Sequence, residues 1–449
     1  MKKIFQYIML AVVTIVMASC TSDIEEPTAT TGKNNVQLVV GEFPAFGDSQ
    51  TRAIGTPDEG KTSWAEGDVL LLEIDNTHYG RHSATFTYNG KSWELTSGEL
   101  VYLEGDAAYI PHVYYAPNYK WEAGKLVLKE GKDPGTDEYI EGNAKITGND
   151  ETITVSFAGA TRKYSRLRIA TLPNEQITVD TEYFTPAGSS DMGQNGNYTL
   201  TSDEKGNAYL YGTFENNSEV TVKYREATLA THTFLQATES AKSYALDATV
   251  ISANSAEEIK SAIEQKVADG KTTIRLNLAP NAGTNEFMAI REAIKGAAPN
   301  DLGTIELTII GVETIPEEAF YKMLQLKSVR MSDVKEIKKY AFKECQYLTV
   351  VEAPSLNKLC SGAFKKCDQL AKLTFGPINY ADERNWPIFE YITPNIDLIL
   401  SDYQKEMIET DSYLYTANND RDYAGSDEHN SKNFLGREFR SITCRYKVK

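Results

Sequence analysis

The feature that most constrains the fold is a 22-residue repeat between residues 312 and 376. Its anchor is the pair Ala319-Phe320, which returns as Ala341-Phe342 and as Ala363-Phe364. Six further positions stay apolar in the same phase, while the residues between them vary among charged and polar types. The six triplets are Val312/Val334/Leu356, Ile315/Ile337/Leu359, Met323/Cys345/Cys367, Leu326/Leu348/Leu370, Val329/Val351/Leu373 and Met331/Ala353/Phe375. This periodicity predicts a solenoid in which each repeat forms one coil and each triplet becomes an internal ladder.

A single coil of this length cannot be stable, because the entropy lost on ordering it exceeds the stabilisation from its few apolar side chains. Neighbouring coils must therefore stack, pair strand to strand and share one core. Three copies are the usual minimum for a stable array, so both ends need capping segments. We expect residues 251–449 to form this repeat domain, with its core repeats at 312–376.

Two motifs within each coil carry a family resemblance. Leu326-x-x-Val329-x-Met331 has the pattern of the strand half of a leucine-rich repeat, and the Ile-x-x-x-Ala-Phe segment would supply the returning turn. Together they resemble the BspA-like leucine-rich repeats of bacterial surface proteins. The resemblance implies that this region is a binding surface rather than a catalyst.

The segments that flank the repeats predict caps. Ser255 and Glu258 form a capping box that starts a helix ending at Gly270. A strand at 274–278 and a second helix closing near Gly296 follow, and Leu307 and Ile309 already lie 22 residues before Val329 and Met331. After the repeats we expect a strand at 395–400 that puts Leu398 25 residues after Leu373, a short helix at 401–409, an exposed loop at 416–433 and a closing strand at 440–446.

The N-terminus predicts a targeting segment. Lys2 and Lys3 precede a short apolar run, and Met17-Ala18-Ser19-Cys20 resembles a lipobox, so residues 1–20 are expected to be a lipoprotein signal peptide. Cys20 would then carry the lipid, and 21–34 would be a tether. The acidic residues after Cys20 resemble the surface-export signal of Bacteroidetes lipoproteins, which implies an outer-membrane, lipid-anchored, surface-exposed protein. An ordinary secretory signal and a periplasm-facing lipoprotein stay open as alternatives.

Between the tether and residue 250 the chain shows short alternating apolar runs separated by Gly, Asn, Asp and Pro. This pattern predicts two antiparallel β-sandwich domains, at 35–150 and 151–250. Trp64-Ala65-Glu66-Gly67-Asp68, Asp106–Pro111 and Ile153–Phe157 resemble motifs of fimbrillin-like proteins. The complete expectation is a multidomain, mainly β protein, with fimbrillin-like β-sandwiches followed by a short α/β leucine-rich repeat solenoid with helical caps.

Composition and motifs argue against several functions. The net charge of −17 disfavours nucleic acid as a partner. The five histidines are scattered, and no nucleophile elbow or phosphate-binding loop is present. A calcium loop starting at Asp420 fails because its twelfth position is Ser431. The sequence therefore predicts no enzyme activity, no cofactor and no metal site.

The cysteines after Cys20 allow one firm expectation. Cys345 and Cys367 share a repeat position and should be near neighbours, which permits a disulfide in an oxidising compartment. The same position holds Met323 in the first copy, so it requires an apolar filler, and we expect buried free thiols. The state of Cys360 and Cys444 stays open.

The outward positions of the repeat strands form the candidate binding surface. They alternate with core positions and are Ser328, Arg330, Val350, Glu352, Lys372 and Thr374. The favoured hypothesis is a non-catalytic adhesin that binds a host or matrix protein, or another bacterial surface protein, with the β-sandwiches as its stalk. The alternative is a fimbria-associated subunit or anchor joined to fimbrial subunits by strand exchange. Glycan capture by an uptake system is a third hypothesis, although no dense aromatic platform supports it.

Overall fold

The computed structural model describes residues 37–46, 60–76, 80–99, 108–147, 152–155, 162–225, 227–253, 255–382, 387–402, 433–435 and 437–446. The signal peptide, Cys20, the tether and nearly all of the predicted 401–409 helix and 416–433 loop lie outside these ranges. The described chain is mainly β and contains two helices. It divides into two compact units, and the boundary between them lies at residue 162. Residue 46 and residues 131–138 precede this boundary but belong to the second unit.

The described residues of the first unit form nine strands: β1 (Gln37–Val40), β2 (Val69–Asn76), β3 (Gly80–Tyr88), β4 (Trp93–Gly98), β5 (Ala108–Tyr115), β6 (Tyr119–Glu122), β7 (Lys125–Leu128), β8 (Ile140–Thr147) and β9 (Thr152–Val155). Seven of them form one sheet in the order β1-β9-β8-β5-β2-β3-β4, and β6 and β7 form a hairpin. The edge strands β1 and β4 also contact each other, so the sheet curls around a core that includes Leu70, Leu72 and Phe86.

Strand β9 shows where this first sheet ends along the chain. It pairs in parallel with β1 and antiparallel with β8, whereas the other ladders of the sheet are antiparallel. The first sheet therefore extends beyond the boundary at residue 150 that the sequence predicted. The alternation in 152–155 correctly indicated a strand, but alternation alone does not say which sheet a strand joins.

The second unit begins with a second curled sheet made of β10 (Ser165–Ala170), β11 (Gln176–Pro186), β12 (Gln194–Thr201), β13 (Asn207–Phe214), β14 (Ser218–Tyr224), β15 (Ala227–Phe234) and β16 (Ser243–Asp247). The order is β15-β14-β11-β13-β10-β16, with β12 paired to β11. The β10–β16 ladder is parallel and the others are antiparallel. Its core contains Phe184, Phe214 and Val222, all with no exposed surface.

The rest of the second unit consists of β17 (Ile251–Ala253), α1 (Ala256–Ala268), β18 (Thr273–Leu278), α2 (Thr284–Ala297), β19 (Ile305–Ile310), β20 (Thr314–Ile315), β21 (Leu326–Met331), β22 (Glu336–Ile337), β23 (Val350–Ala353), β24 (Lys358–Cys360), β25 (Lys372–Phe375), β26 (Tyr380–Asp382), β27 (Asp397–Ser401), β28 (Asn433–Phe434), β29 (Arg437–Glu438) and β30 (Ser441–Tyr446). Eight strands form a wholly parallel sheet, the long sheet, in the order β17-β18-β19-β21-β23-β25-β27-β30. A short parallel sheet runs β20-β22-β24-β26.

The register of the long sheet follows the sequence repeat. Val329 pairs with Val351, which pairs with Leu373, so each step advances 22 residues. The next step pairs Leu373 with Leu398, which is the 25-residue interval expected from the sequence. Upstream, Leu307 pairs with Val329, so the repeat phase begins before residue 312, as predicted.

The predicted start of the first helix is also confirmed. The Ser255 hydroxyl accepts a hydrogen bond from the backbone N–H of Glu258 at 3.2 Å, which caps α1 at its N-terminus. Ile259 and Ile263 of α1 and Phe287 and Ile294 of α2 are fully buried in the core under the parallel sheets. The two helices thus share one hydrophobic core with the parallel sheets.

A column of phenylalanine rings runs through the centre of this core. Phe320, Phe342, Phe364 and Phe389 stack with centroid separations of 5.0, 5.3 and 5.7 Å. Phe287 of α2 closes one end edge-on, and Phe439 closes the other end in the same way. Each ring has no exposed surface except Phe439, which is 1% exposed. The repeated Ala-Phe pair therefore supplies the continuous internal contact between coils.

The returning turn of each coil contains left-handed backbone at a position that recurs in three successive coils. Glu318 and Tyr340 have φ of 56° and 57°, and Gly362 occupies the same position in the next coil at 62°. The backbone N–H of Glu318 donates to Lys339 O at 3.1 Å, and that of Tyr340 donates to Ser361 O at 3.2 Å. A side chain at Gly362 would meet the Tyr340 ring at 2.5 Å, which explains glycine there.

Cys345 and Cys367 are buried thiols in the interior, at the repeat position expected for an apolar filler. The Cys345 Sγ donates to Phe320 O at 2.9 Å, and the Cys367 Sγ donates to Phe342 O at 3.0 Å. Burial raises the pKa of Cys345 to about 12, and it raises the pKa of Cys367 well above its usual value. Because the thiolate is the reactive form, both thiols are inert in the folded protein.

We expect iodoacetamide to label neither Cys345 nor Cys367 in the native protein up to about pH 9, since both thiols stay protonated and shielded from solvent. After denaturation without reductant both should be labelled in full, as measured by mass spectrometry of tryptic peptides. Protection that persists after denaturation and disappears with reductant would mean a disulfide, and would contradict the structure.

Phe342→Ala should lower the free energy of unfolding of the repeat region by about 3–5 kcal/mol, because it removes a ring that stacks on both neighbours. Phe342→Leu should cost markedly less, since it keeps most of the buried volume. Hydrogen exchange of peptides from 312–376 measures both changes. Tyr391→Ala is the control, because Tyr391 is 60% exposed. A loss below about 1 kcal/mol for Phe342→Ala would refute the central role of the stack.

Candidate functional site on the long sheet

The structure brings all six predicted binding residues together on three neighbouring strands of the long sheet. One row is in register across β21, β23 and β25 and contains Ser328, Val350 and Lys372. The adjacent row contains Arg330, Glu352 and Thr374. Both rows alternate with core residues such as Val329 and Val351, so they lie on the face of the sheet opposite the phenylalanine stack.

Ser328 departs from the expected exposure. It is 5% exposed, and its hydroxyl has no hydrogen-bond partner among the described residues. The other five are half-buried. Alternation in the sequence gives the side of a sheet on which a residue lies, but it does not give the exposure of a side chain as small as that of serine. Ser328 therefore contributes little accessible surface.

The N-terminal part of this face is covered by β15 of the second curled sheet. The Arg275 guanidinium on β18 donates through Nε to the backbone carbonyl of Leu229 on β15. Thr308 on β19 is only 3% exposed, and Ile310 packs into the core of the curled sheet. In the row that contains Arg275 and Thr308, the outward face becomes accessible from Arg330 on β21 onward. In the adjacent row, Glu306 on β19 is already half-exposed.

A groove lies between β15 and the long sheet. It comprises two cavities of about 500 and 320 Å³ that share Thr228, Thr308 and Arg330 in their linings, and we call it the β15 groove. The positively charged lining residues are Lys271, Arg275, Arg330 and Lys372, and the negatively charged ones are Asp247, Glu306 and Glu352. The groove thus carries 4 − 3 = +1, although the whole chain carries −17.

The larger cavity is lined by a partly buried ion pair. Arg275 Nη1 lies 3.9 Å from Asp247 Oδ1, with side-chain exposures of 9% and 31%. Burial lowers the pKa of Arg275, Asp247 opposes this, and the positive charge of Arg330 adds to the lowering. Burial alone would raise the pKa of Asp247, but hydrogen bonds from Thr249 and the nearby cations outweigh it, so this pKa is lowered.

The smaller cavity contains three linked charges. Arg330 Nε donates to Glu352 Oε2 at 3.0 Å, and Lys372 Nζ donates to Glu352 Oε1 at 3.2 Å. Each oxygen of the carboxylate therefore holds one cation. The trio is left with one unit of positive charge on a half-exposed surface.

Sequence reasoning missed that most charges of the repeats pair between coils. Lys327 contacts Glu306 at 2.8 Å, and Lys358 contacts Glu336 at 2.7 Å. Similar pairs are Lys335–Glu313 and Lys322–Glu344. Lys335–Glu313, Lys358–Glu336, Lys322–Glu344 and Arg330–Glu352 join residues 22 apart, so opposite charges at equivalent repeat positions were the available signal. Each exposed pair stabilises by about 0–1 kcal/mol and mainly fixes side-chain positions.

Within the described ranges, no group of three or more His, Cys, Asp and Glu side chains is arranged to hold a metal ion. The same ranges contain no helix long and apolar enough to span a membrane. His232 on β15 lies edge-on to Phe234 at 4.7 Å between ring centroids, and burial lowers its pKa.

Comparison with known proteins identifies the repeats. Residues 301–404 match the family model described as BspA type Leucine rich repeat region, in six copies. The chain thus carries a BspA type leucine rich repeat region, and the match extends beyond the predicted core repeats on both sides. It covers less than half of the chain, so it defines this region alone. No curated protein matches the sequence.

Two solved structures show a partial likeness. One is a candidate cell adhesion protein from Bacteroides fragilis NCTC 9343, with 10% identity over 48% of this chain and 92% of that chain, and a TM-score of 0.26. The other is a minor pilin from Streptococcus agalactiae, with 8% identity over 48% of this chain and 94% of that chain, and a TM-score of 0.16. At these TM-scores neither carries an argument about this protein.

We expect Arg275→Met to lower the free energy of unfolding of the second unit by about 2–3 kcal/mol at pH 7, because it leaves Asp247 and the Leu229 carbonyl without their partner. Burial raises the pKa of Asp247, but hydrogen bonds from Thr249, with Lys266 and Arg275 adding to them, outweigh that effect. The share of the stabilisation that depends on Arg275 is therefore present above the unfolded pKa of Asp247 and is lost as pH falls through the folded pKa. The difference between variant and wild type should therefore shrink below about pH 4.

Denaturant unfolding at several pH values measures this difference. Arg440→Met is the matched control, since Arg440 pairs with Asp397 on an exposed surface and its loss should change stability little. An Arg275→Met effect equal to that of the control, or one that does not vary with pH, would refute the role of the buried pair.

Proposed function

We propose that the protein is a non-catalytic binding protein of the cell surface, and that it binds its partner through the accessible part of the long sheet. The observation that carries this proposal is the difference in exposure between the two parts of this face. β15 covers the row of outward side chains that ends with Thr308 on β19, whereas strands β21, β23 and β25 leave charged, hydroxyl and aliphatic side chains half-exposed. These are Arg330, Val350, Glu352, Lys372 and Thr374, five of the six residues predicted from the sequence.

A surface of this type suits binding better than catalysis. Its side chains stand on parallel strands fixed by the phenylalanine stack, so a partner meets a rigid, pre-organised surface. Ion pairs hold Arg330, Glu352 and Lys372 in position, which reduces the entropy lost when a partner docks. Val350 between them supplies an apolar contact at the centre of the patch. The BspA type repeats support this binding role.

The rest of the chain fits presentation at a surface. In this proposal Cys20 carries a lipid that anchors the mature protein in the outer membrane, and residues 21–34 form a tether. The curled sheets are fimbrillin-like domains, and β17 to α2 form the helical cap of the repeat solenoid. The partner is a host or matrix protein, or another bacterial surface protein.

The accessible face predicts which substitutions abolish adhesion. Thr374→Arg should lower binding of the purified protein to its partner at least tenfold, about 1.4 kcal/mol, because it places a bulky charge on the accessible face. Lys366→Glu should leave binding unchanged, since Lys366 is exposed on the turns rather than on the sheet. The measurement is surface plasmon resonance against a panel of immobilised matrix proteins. Equal loss in both variants would contradict the proposal.

Location is tested on intact cells with protease and an antibody against residues 251–449. Cleavage of the repeats without lysis supports surface display, and full protection would place the protein in the periplasm and remove the adhesin role. Detergent-resistant ladders on gels would favour the fimbrial subunit or anchor instead. Cys20→Ser should release the protein from the membrane fraction if the lipid anchors it.

A further inference from the structure

The smaller cavity of the β15 groove has the construction of a ligand site. Its volume of about 320 Å³ lies at the lower end of the range for small-molecule pockets, about 300–1,000 Å³. It is formed between β15 and the accessible strands of the long sheet, so it lies next to the proposed binding face. Its lining combines charged, hydroxyl and apolar side chains, and each kind limits what the cavity can hold.

The charges favour an anion. Glu352 engages one cation with each oxygen, so a single carboxylate serves both Arg330 and Lys372. Arg330 uses only Nε in this contact, and its two Nη groups make no hydrogen bond or ion pair among the described residues. A guanidinium with free N–H groups is a ready partner for a carboxylate. Arg275, further along the groove, is already bound to Leu229 O and Asp247, so its charge is not available.

The remaining lining indicates the body of the ligand. Thr228 on β15 and Thr374 on β25, which are both half-buried, bring hydroxyl groups to the cavity. Pro354 and Ile399, also half-buried, provide an apolar surface. Hydroxyl partners beside an apolar patch match a sugar ring, which has hydroxyl edges and C–H faces.

Two other ligand classes fit less well. An extended peptide would add to the free edge of β15, but Arg275 already occupies the Leu229 carbonyl on that strand. A bare inorganic anion would satisfy Arg330 and leave the hydroxyl and apolar lining unused. The ligand that uses the whole cavity has one carboxylate and several hydroxyl groups.

We propose that this cavity binds an acidic sugar residue, such as a uronic acid, with its carboxylate on Arg330 and Lys372. The hydroxyl groups of the ring meet Thr228 and Thr374. The proposal deepens the binding role of the long-sheet face, because it names the chemical class that the face recognises, either as a free sugar or at the end of a partner's glycan.

Isothermal titration of the mature protein with sodium glucuronate, glucose and sodium sulfate tests the proposal. We expect glucuronate to bind at least tenfold more tightly than glucose or sulfate, because only glucuronate supplies both the carboxylate and the hydroxyl groups. No glucuronate binding would overturn the proposal. Sulfate binding as tight as glucuronate binding would also overturn it, because the cavity would then be a general anion site.

Variants assign the site. Arg330→Gln should weaken glucuronate binding at least tenfold, and Thr374→Val, which keeps side-chain volume and fold, should weaken it several-fold. Lys358→Gln is the matched control, since Lys358 forms the same kind of cross-coil pair with Glu336 on the short sheet. Unchanged binding in Arg330→Gln and Thr374→Val would place the sugar elsewhere and refute the site.

The outcomes also separate this proposal from the proposed function. If glucuronate does not bind but Thr374→Arg still abolishes adhesion, the sugar proposal alone fails. If glucuronate binds in this cavity while adhesion is unaffected by substitutions on the long sheet, the adhesin proposal alone fails.

Discussion

Stacking of one phenylalanine per coil is the interaction on which the second unit depends. Phe320, Phe342, Phe364 and Phe389 form an unbroken column, and the parallel ladders of both sheets follow from it. A ring in one coil is buried by the ring of the next coil, so no coil is stable alone. The 25-residue step to Phe389 keeps the column intact, because the extra residues lie outside the ring and strand positions.

The outer layer of the repeats is ordered by charge instead. Glutamates and lysines 22 residues apart become neighbours once the coils stack, and they pair across the coils. Each pair adds little stability, yet the set fixes many flexible side chains along the surface. At one place two cations share a single carboxylate, because Arg330 and Lys372 both bind Glu352.

How much the sequence predicted depends on whether a feature repeats. The core positions, the 22- and 25-residue steps and the cap at Ser255 could be predicted, because period and capping chemistry are local signals. The left-handed turns of Glu318 and Tyr340 could not, since only Gly362 marks that position with glycine. Nothing in the sequence indicated that β15 covers the sheet, because Arg275 and Leu229 are distant in sequence and belong to different patterns.

The covering strand decides where recognition can occur. By binding Leu229, the buried Arg275 fixes β15 over the first strands and turns a flat sheet into a groove that opens at Arg330. This groove carries a net positive charge in a chain of −17. A concave positive region in an acidic molecule focuses its field, so anionic groups are repelled over most of the surface and attracted at this position. The overall acidity of the chain thus sharpens the selectivity of the groove for a small anionic group.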